Sequence, residues 1–236
     1  MCGIGGMFGR TDEAVLQRMV SLLKHRGPDG HGIFSDDECG LAHTRLAIVD
    51  IKGSPQPLFS DGAVAVVNGE LYNHLSLKRK EFSYRTRGDS EAVLALHNMH
   101  MGGDATEHAK WISMLDGMFA FAIWDYNNGQ LILARDPMGI KPLVRTLSDD
   151  CLLFASEHKA LRAHESHVPK IDDLAMRARI AWEYPLDTTT LLDGVHQVRP
   201  GSVEVWELVE GVPCMTSMCR FEVQQVNPDS SWNDAK

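Results

Sequence analysis

The run MFAFAIWDYNNGQLILARD (118–136) leaves the chain little choice locally. Two apolar segments, each short enough to be a strand, meet at Asn127-Asn128-Gly129, and a glycine there supplies the positive φ that a tight antiparallel reversal demands. The stretch therefore predicts a hairpin with both strands in a core, and CLLFAS (151–156) is expected to pair nearby.

Other short runs read as strands between Gly, Pro and Asp punctuation: GIFS (32–35), GLAHT (40–44), RLAIVD (45–50) and AVAVV (63–67). Their density points to antiparallel sheet. Thr11 is placed to cap a helix carrying Val15, Met19, Leu22 and Leu23 on one stripe and ending near Lys24. Apolar residues three or four apart predict helices over about 89–101 and 104–115, packed together over one sheet. A helix near 172–182 and a strand in GSVEVWEL (201–208) follow, and the polar QQVNPDSSWNDAK (224–236) is expected to fray. The pattern suits one domain of stacked sheets between helix layers.

Charge excludes some functions. A net charge of -9 disfavours nonspecific binding to nucleic acid or to an anionic membrane. The one dense basic run, Lys78-Arg79-Lys80, reads as a solvated helix face. The apolar start, Ile4 to Phe8, is too short and too glycine-rich for a signal peptide or a membrane span. Five irregularly spaced cysteines, Cys2, Cys39, Cys151, Cys214 and Cys219, imply reduced thiols and a cytoplasmic protein. His97, His100 and His108 lack a second ligand pair for zinc and read as solvated helix histidines, and Cys214 and Cys219 have no metal or redox spacing. No metal and no cofactor is expected.

The N-terminal MCGIGGMFGR admits two readings. Cys2 is either an incidental residue in a weak edge strand or a nucleophile. A free thiol, with a reference pKa of about 8.5, needs a base, and removal of Met1 would free the Cys2 α-amine, with a reference pKa of roughly 7.7 to 8.0, to act as one. Further on, Asn68-Gly69 fits a plain hairpin turn, Arg45 a surface ion pair, Asp89 a helix N-cap and Glu70 a solvated side chain.

CGIGG, HRGPDG (25–30), HTRLAIVD (43–50), VNGELYNH (67–74), GDSEAVLAL (88–96), GMFAFAIWD (117–125), RDPMGIKPL (135–143) and FASEHKAL (154–161) occur in this order. Together they resemble class II glutamine amidotransferases, the N-terminal nucleophile (Ntn) hydrolase group, and within it the glutaminase domain of the asparagine synthetase type. The likeness runs from Cys2 to about Trp206. It implies an α+β fold, a four-layer αββα Ntn-hydrolase sandwich of two mainly antiparallel sheets between helix layers. It also implies a glutaminase domain over 1–208, with 209–236 a C-terminal extension or tail.

The resemblance assigns roles as well. Cys2 is the nucleophile, and the Asn68 amide with the Gly69 N–H forms the oxyanion pair. Arg45 clamps the α-carboxylate of L-glutamine, Asp89 holds its ammonium, and Leu46, Val49, Glu70 and Gly88 complete the substrate pocket. Arg26 and the HRGPDG loop border that pocket and help to close it. The implied reaction is attack on the glutamine carboxamide, loss of ammonia from a glutamyl thioester, and hydrolysis to glutamate. The family continues into an ATP-dependent synthetase domain with an SGG-type pyrophosphate loop, whereas the sequence stops at Lys236. A separate synthetase subunit is therefore expected as ammonia acceptor, and self-association is left open. Val144 and Arg145 stand where the family has aromatic residues, so the channel or the partner contact is expected to differ. A catalytically idle glutamine-binding or assembly module, and an Ntn hydrolase acting on another amide, are the alternatives. An intact Cys2, Arg45, Asn68, Gly69 and Asp89 set argues against both.

Overall fold

The hairpin forms as expected: β6 (Gly117–Asp125) and β7 (Gln130–Arg135) pair from Ala120↔Arg135 to Asp125↔Gln130, with Gly129 at φ +66° in the turn. The computed structural model describes residues 1–51, 53–148, 151–184 and 186–222.

Among the described residues twelve strands make two antiparallel six-stranded sheets. In chain order they are β1 (Gly3–Phe8), β2 (Gly30–Ser35), β3 (Cys39–Arg45), β4 (Leu58–Phe59), β5 (Ala63–Leu71), the two hairpin strands, β8 (Val144–Ser148), β9 (Cys151–Ala155), β10 (Val195–Gln197), β11 (Ser202–Val209) and β12 (Val212–Arg220). One sheet runs β10-β8-β9-β1-β3-β2 and the other β12-β11-β7-β6-β5-β4. Among the described residues five helices accompany them: α1 (Glu13–Leu23), α2 (Glu91–His97), α3 (Ala105–Ile112), α4 (His158–Leu161) and α5 (Asp173–Trp182).

Three apolar layers hold the stack together. Ile4, Phe8, Val66, Trp124, Phe154 and Trp206 lie between the sheets. Leu16, Met19 and Leu23 of α1 cover the outer face of the first sheet, and Leu94 and Trp111 of α2 and α3 cover the outer face of the second. Helix, sheet, sheet, helix is the four-layer α+β architecture expected from the motifs. Because both faces of the central strands are buried, β9 and the Leu131–Ala134 stretch of β7 are continuously apolar rather than alternating.

Several local expectations are corrected. Asp12, not Thr11, caps α1: its Oδ1 accepts from the Ala14 N–H at 2.8 Å, while the Thr11 hydroxyl donates to the Asp36 carbonyl at 2.6 Å. Leu22 faces solvent, and the buried stripe is Val15, Leu16, Met19, Val20 and Leu23. RLAIVD is not a strand. β3 ends at Arg45, whose guanidinium donates to the Asp50 and Ile51 carbonyls at 2.7 and 2.9 Å and turns the segment back on itself. CLLFAS pairs with β1 and β8, in the sheet opposite the hairpin. The helix expected over 89–101 is only Glu91–His97, and Lys78-Arg79-Lys80 lies in an irregular stretch with Lys78 over the Tyr84 ring. Beyond 208, β12 pairs with β11 from Ser202↔Arg220 to Val209↔Val212 as an edge strand, with Cys214 and Cys219 as free thiols on it. The tail expected over 224–236 lies outside the described residues. Among the described residues no helix is long and apolar enough to cross a membrane.

His97 and His108 are fully buried rather than solvated. Their rings stack at 5.6 Å, His97 Nε2 lies 3.3 Å from the buried Asp125 carboxylate, and Trp111 Nε1 donates to His108 Nδ1 at 3.1 Å. Burial pushes His108 down to about 4 and His43, enclosed on β3, down to about 3. In the unfolded chain both titrate near 6.5. Between these values the unfolded state holds more protons than the folded one, so stability is full above about pH 6.5 and falls as pH drops toward about 4. Urea midpoints measured across that window should decline steadily with acidification; a flat profile would contradict this burial.

Candidate active site

A cavity of about 280 Å³ opens where β1 begins, beside the end of β3 and the middle of β5. Cys2, Arg45, Leu46, Val49, Asn68, Gly69, Glu70 and Asp89 all line it. Gly88 does not. It packs behind the wall, where a Cβ would fall 2.5 Å from the Ser54 hydroxyl. Arg26 is also absent from the wall and lies behind Cys2, with its Nε donating to the Cys2 carbonyl at 2.9 Å. Arg26 thus stands behind the expected nucleophile rather than in the cavity wall.

Cys2 precedes β1 and is half-buried. Its Sγ accepts from the Leu46 N–H at 3.4 Å and approaches the Leu46 carbonyl at 3.6 Å. The loop that follows β3 therefore holds the thiol at the cavity. Asp50 anchors that loop: the Arg87 N–H and the Ser54 hydroxyl both donate to its carboxylate, which holds it below the usual carboxylate range. Arg45 also lines the cavity, its guanidinium held by the Ile51 and Asp50 carbonyls through Nη1 and Nη2.

Asn68 and Gly69 are not a turn. Both sit within β5, opposite Ala120 and Phe119 of β6. Toward the cavity side of β5, the Val67 N–H donates to Gln56 Oε1 at 2.6 Å, Gln56 Nε2 donates back to the Val67 carbonyl at 3.1 Å, and the Leu71 N–H donates to Asp89 Oδ2 at 2.7 Å. Strand alternation turns the Gly69 N–H the same way, between those two anchored positions. A side chain at Gly69 would collide with the Met118 carbonyl at 2.7 Å and Phe119 Cβ at 2.9 Å, so the strand approaches β6 there as only glycine allows. Asn68 is 1% exposed, and neither its Nδ2 nor its Oδ1 has a hydrogen-bond partner among the described residues. Such a group is rare in a folded interior and has a ready use as a donor or acceptor for something that enters.

Asp89 does not cap α2 with its side chain. Ser90 holds the cap position, Asp89 Oδ2 takes the Leu71 N–H, and Oδ1 has only a long 3.5 Å contact with the Ser90 hydroxyl. One carboxylate oxygen is thereby left for the cavity. Ser54, Gln56, Met118, Ile140 and Lys141 also line it. Ile140 and Lys141 arrive on a loop built by two buried charges. Asp136 accepts from the Met138, Ile140 and Lys141 N–H groups, and Arg135 donates to the Gly139, Lys141 and Val198 carbonyls. The motif RDPMGIKPL contained these residues, but nothing in the local pattern distinguished Lys141 as a wall residue, nor Gln56 as a side chain imitating a missing strand. Val144 and Arg145 lie elsewhere: Val144 packs in the outer core of the first sheet, and Arg145 Nε pairs with Glu204 at 2.6 Å beneath Trp206.

The arrangement offers a thiol, an unpartnered amide beside a backbone N–H, a guanidinium and a carboxylate around one small cavity. Comparison with known proteins gives the same direction. A family model described as a glutamine amidotransferase domain matches residues 1–211. Asparagine synthetase [glutamine-hydrolyzing] 1 of Bacillus subtilis is 35% identical over 215 residues, covering 86% of this chain and 33% of the relative. Asparagine synthetase B [glutamine-hydrolyzing] of Escherichia coli is 37% identical over 172 residues, covering 68% and 30%. The chain thus spans about a third of the length of these relatives. Among solved structures, that of the allosteric regulatory enzyme of purine biosynthesis superposes with a TM-score of 0.68 at 20% identity, over 96% of this chain and 50% of the other. Glutamine phosphoribosylpyrophosphate amidotransferase from B. subtilis superposes at 0.64 with the same identity and coverage. These two bear on the fold alone. With residues 1–211 matched by the family model and the fold shared with amidotransferase structures, the chain belongs to the class II glutamine amidotransferase domain family.

Proposed function

We propose that this domain hydrolyses L-glutamine to L-glutamate and ammonia through a thioester on Cys2. The observation that carries the reading is the fully buried, unpartnered Asn68 amide in the same cavity wall as the Cys2 thiol. An oxyanion created by attack on a carboxamide is what such a donor awaits.

In this reading Met1 is removed, and the Cys2 α-amine takes the thiol proton as Sγ attacks the glutamine Cδ. The carboxamide π electrons move to oxygen, where Asn68 Nδ2 and the Gly69 N–H stabilise the charge. The ammonium of Cys2 returns its proton to the departing nitrogen, the C–N bond breaks, and ammonia leaves a glutamyl thioester. Water then adds to the thioester, the C–S bond breaks, and the thiol regains a proton. Arg45 meets the α-carboxylate with two parallel donors, and Asp89 Oδ1 meets the α-ammonium. That pair favours a free α-amino acid over other amides.

The ammonia acceptor in this reading is an ATP-dependent synthetase on a separate subunit, in the cytoplasm. Support for a synthetase as acceptor comes from the relatives named as glutamine-hydrolysing asparagine synthetases. A glutamine-mimicking diazoketone should label the protein once, at Cys2, and excess glutamine should protect it. Glutamine binding without labelling or ammonia release would favour the idle module instead.

A further inference from the structure

FASEHKAL (154–161) has no part in the chemistry above, yet its backbone runs straight to the nucleophile. Ala155 pairs with Gly5, the Ser156 N–H donates to the Ile4 carbonyl at 2.8 Å, and the Ile4 N–H donates to Ser156 Oγ at 3.0 Å. Following β1 backwards in this way brings Glu157 level with the chain just after Cys2. There its Oε1 accepts from Arg26 Nη1 at 2.8 Å, while Arg26 Nε donates to the Cys2 carbonyl at 2.9 Å. Glu157 also meets His25 Nε2 at 2.9 Å and Lys159 Nζ at 3.3 Å.

The chain of contacts is tight where it matters. The Arg26 side chain is 8% exposed, Glu157 is the carboxylate at ion-pair distance from it among the described residues, and its Nη2 is buried without a partner. A Cβ at position 3 would fall 2.7 Å from Thr44 Oγ1, 3.1 Å from Leu23 Cβ and 3.3 Å from Arg26 Cδ, so the arginine stem packs closely against the backbone at Gly3. Burial raises the Glu157 carboxyl, but hydrogen bonds from Arg26, His25 and Lys159 outweigh it and hold the group at about 2, so it is ionised throughout the working range. Removing that charge leaves a buried guanidinium uncompensated, and such a group moves toward water.

We propose that Glu157 is a positioning residue for Cys2, acting through Arg26: it neutralises and orients the guanidinium that pins the Cys2 carbonyl, and so fixes the direction of the thiol and the α-amine. This rests on the reading of Cys2 as the glutaminase nucleophile. Arg45 and Asp89 are untouched by Glu157, so its loss should act on attack rather than on glutamine binding. Displacements of about an ångström remote from the chemistry reduce rates by up to 10²-fold.

The test compares wild type with Glu157→Gln, Glu157→Ala, Arg26→Ala and the Arg26→Ala/Glu157→Ala double variant, each checked for folding by thermal melt. Glutaminase kinetics are measured together with alkylation of Cys2 by a small neutral haloacetamide, using Cys214 as the internal reference in peptide mass spectra. Glu157→Ala should lower kcat about 10- to 100-fold with KM for glutamine within about twofold, and should slow Cys2 alkylation relative to Cys214. Glu157→Gln, which keeps an acceptor of the same shape, should lose less, and it decides the matter if Glu157→Ala does not fold. The double variant should be no worse than Arg26→Ala alone. An unchanged kcat in a folded Glu157 variant, a rise in KM with kcat intact, or additive losses in the double variant would overturn the proposal. A wild type that releases no ammonia, or one that Cys2→Ala matches, would instead overturn the nucleophile reading on which it rests.

Discussion

Cys2→Ala should abolish ammonia release from glutamine, with a loss on the order of 10⁴-fold or more in kcat, while the fold and glutamine binding persist. The side chain is half-buried and, among the described residues, its sulfur hydrogen-bonds to Leu46 alone, so truncation removes little packing. Arg45 and Asp89 keep their own anchors and should still hold the substrate. Cys2→Ser should fare little better than alanine, because a hydroxyl deprotonates far less readily than a thiol under the same weak base. The companion result concerns Met1. While it is attached, the Cys2 nitrogen is an amide without a basic lone pair. Protein expressed with methionine removal inhibited should therefore be as inactive as Cys2→Ala, although every side chain is present. Intact mass reports the processing state, and coupled glutamate detection reports the rate. Full activity with Met1 retained would show that another group takes the proton.

The fold was legible wherever a short stretch carries its own turn chemistry. The hairpin at Asn127–Gly129 needs nothing beyond local sterics, and α5 has its capping Asp172, whose side chain accepts from the Ala175 N–H at 2.9 Å. Reading failed where distant groups decide. Leu46 to Asp50 has strand composition, yet Arg45 bonds to the carbonyls of Asp50 and Ile51 and bends the segment into the wall that holds the thiol. His97 and His108 sit at helical positions that read as solvated. They are buried because α2 and α3 pack on the second sheet, where His97 meets Asp125 and His108 stacks on His97 beside Trp111. Asn68-Gly69 is the sharpest case. Its local pattern is that of a reversal, but β6 offers a full-length partner and the strand continues to Leu71. What made the site readable in advance was the order of eight motifs, since no single residue among them outweighed its ordinary structural explanation. Gln56 and Lys141 escaped even that, because their place in the wall depends on loops shaped by other residues.

Asn68→Ala should lower kcat by about 10²- to 10³-fold, the usual effect of losing one oxyanion donor, with little change in KM. Its effect on stability separates function from structure. A buried amide with no partner destabilises the folded state by about 1–3 kcal/mol, and truncation relieves that penalty while forfeiting some packing. The two effects oppose each other, so the thermal midpoint should not fall below that of wild type. A conventional core asparagine, bonded on both sides, would lose stability on truncation. Asn68→Asp makes the contrast stronger. The shape is kept, but a carboxylate now faces the developing oxyanion, so activity should be lost to at least the same degree. Burial without a bonded partner raises the pKa of the introduced carboxyl above its unfolded value near 3.9. The folded state then holds the extra proton, and the variant loses stability as pH rises through that value toward neutrality. Kinetics with melts at two pH values therefore distinguish the variants: both inactive, Asn68→Ala as stable as wild type, and Asn68→Asp destabilised at neutral pH. A marked drop in the melting temperature of Asn68→Ala, with kcat preserved, would return Asn68 to the role of a structural residue and remove the oxyanion site from the mechanism.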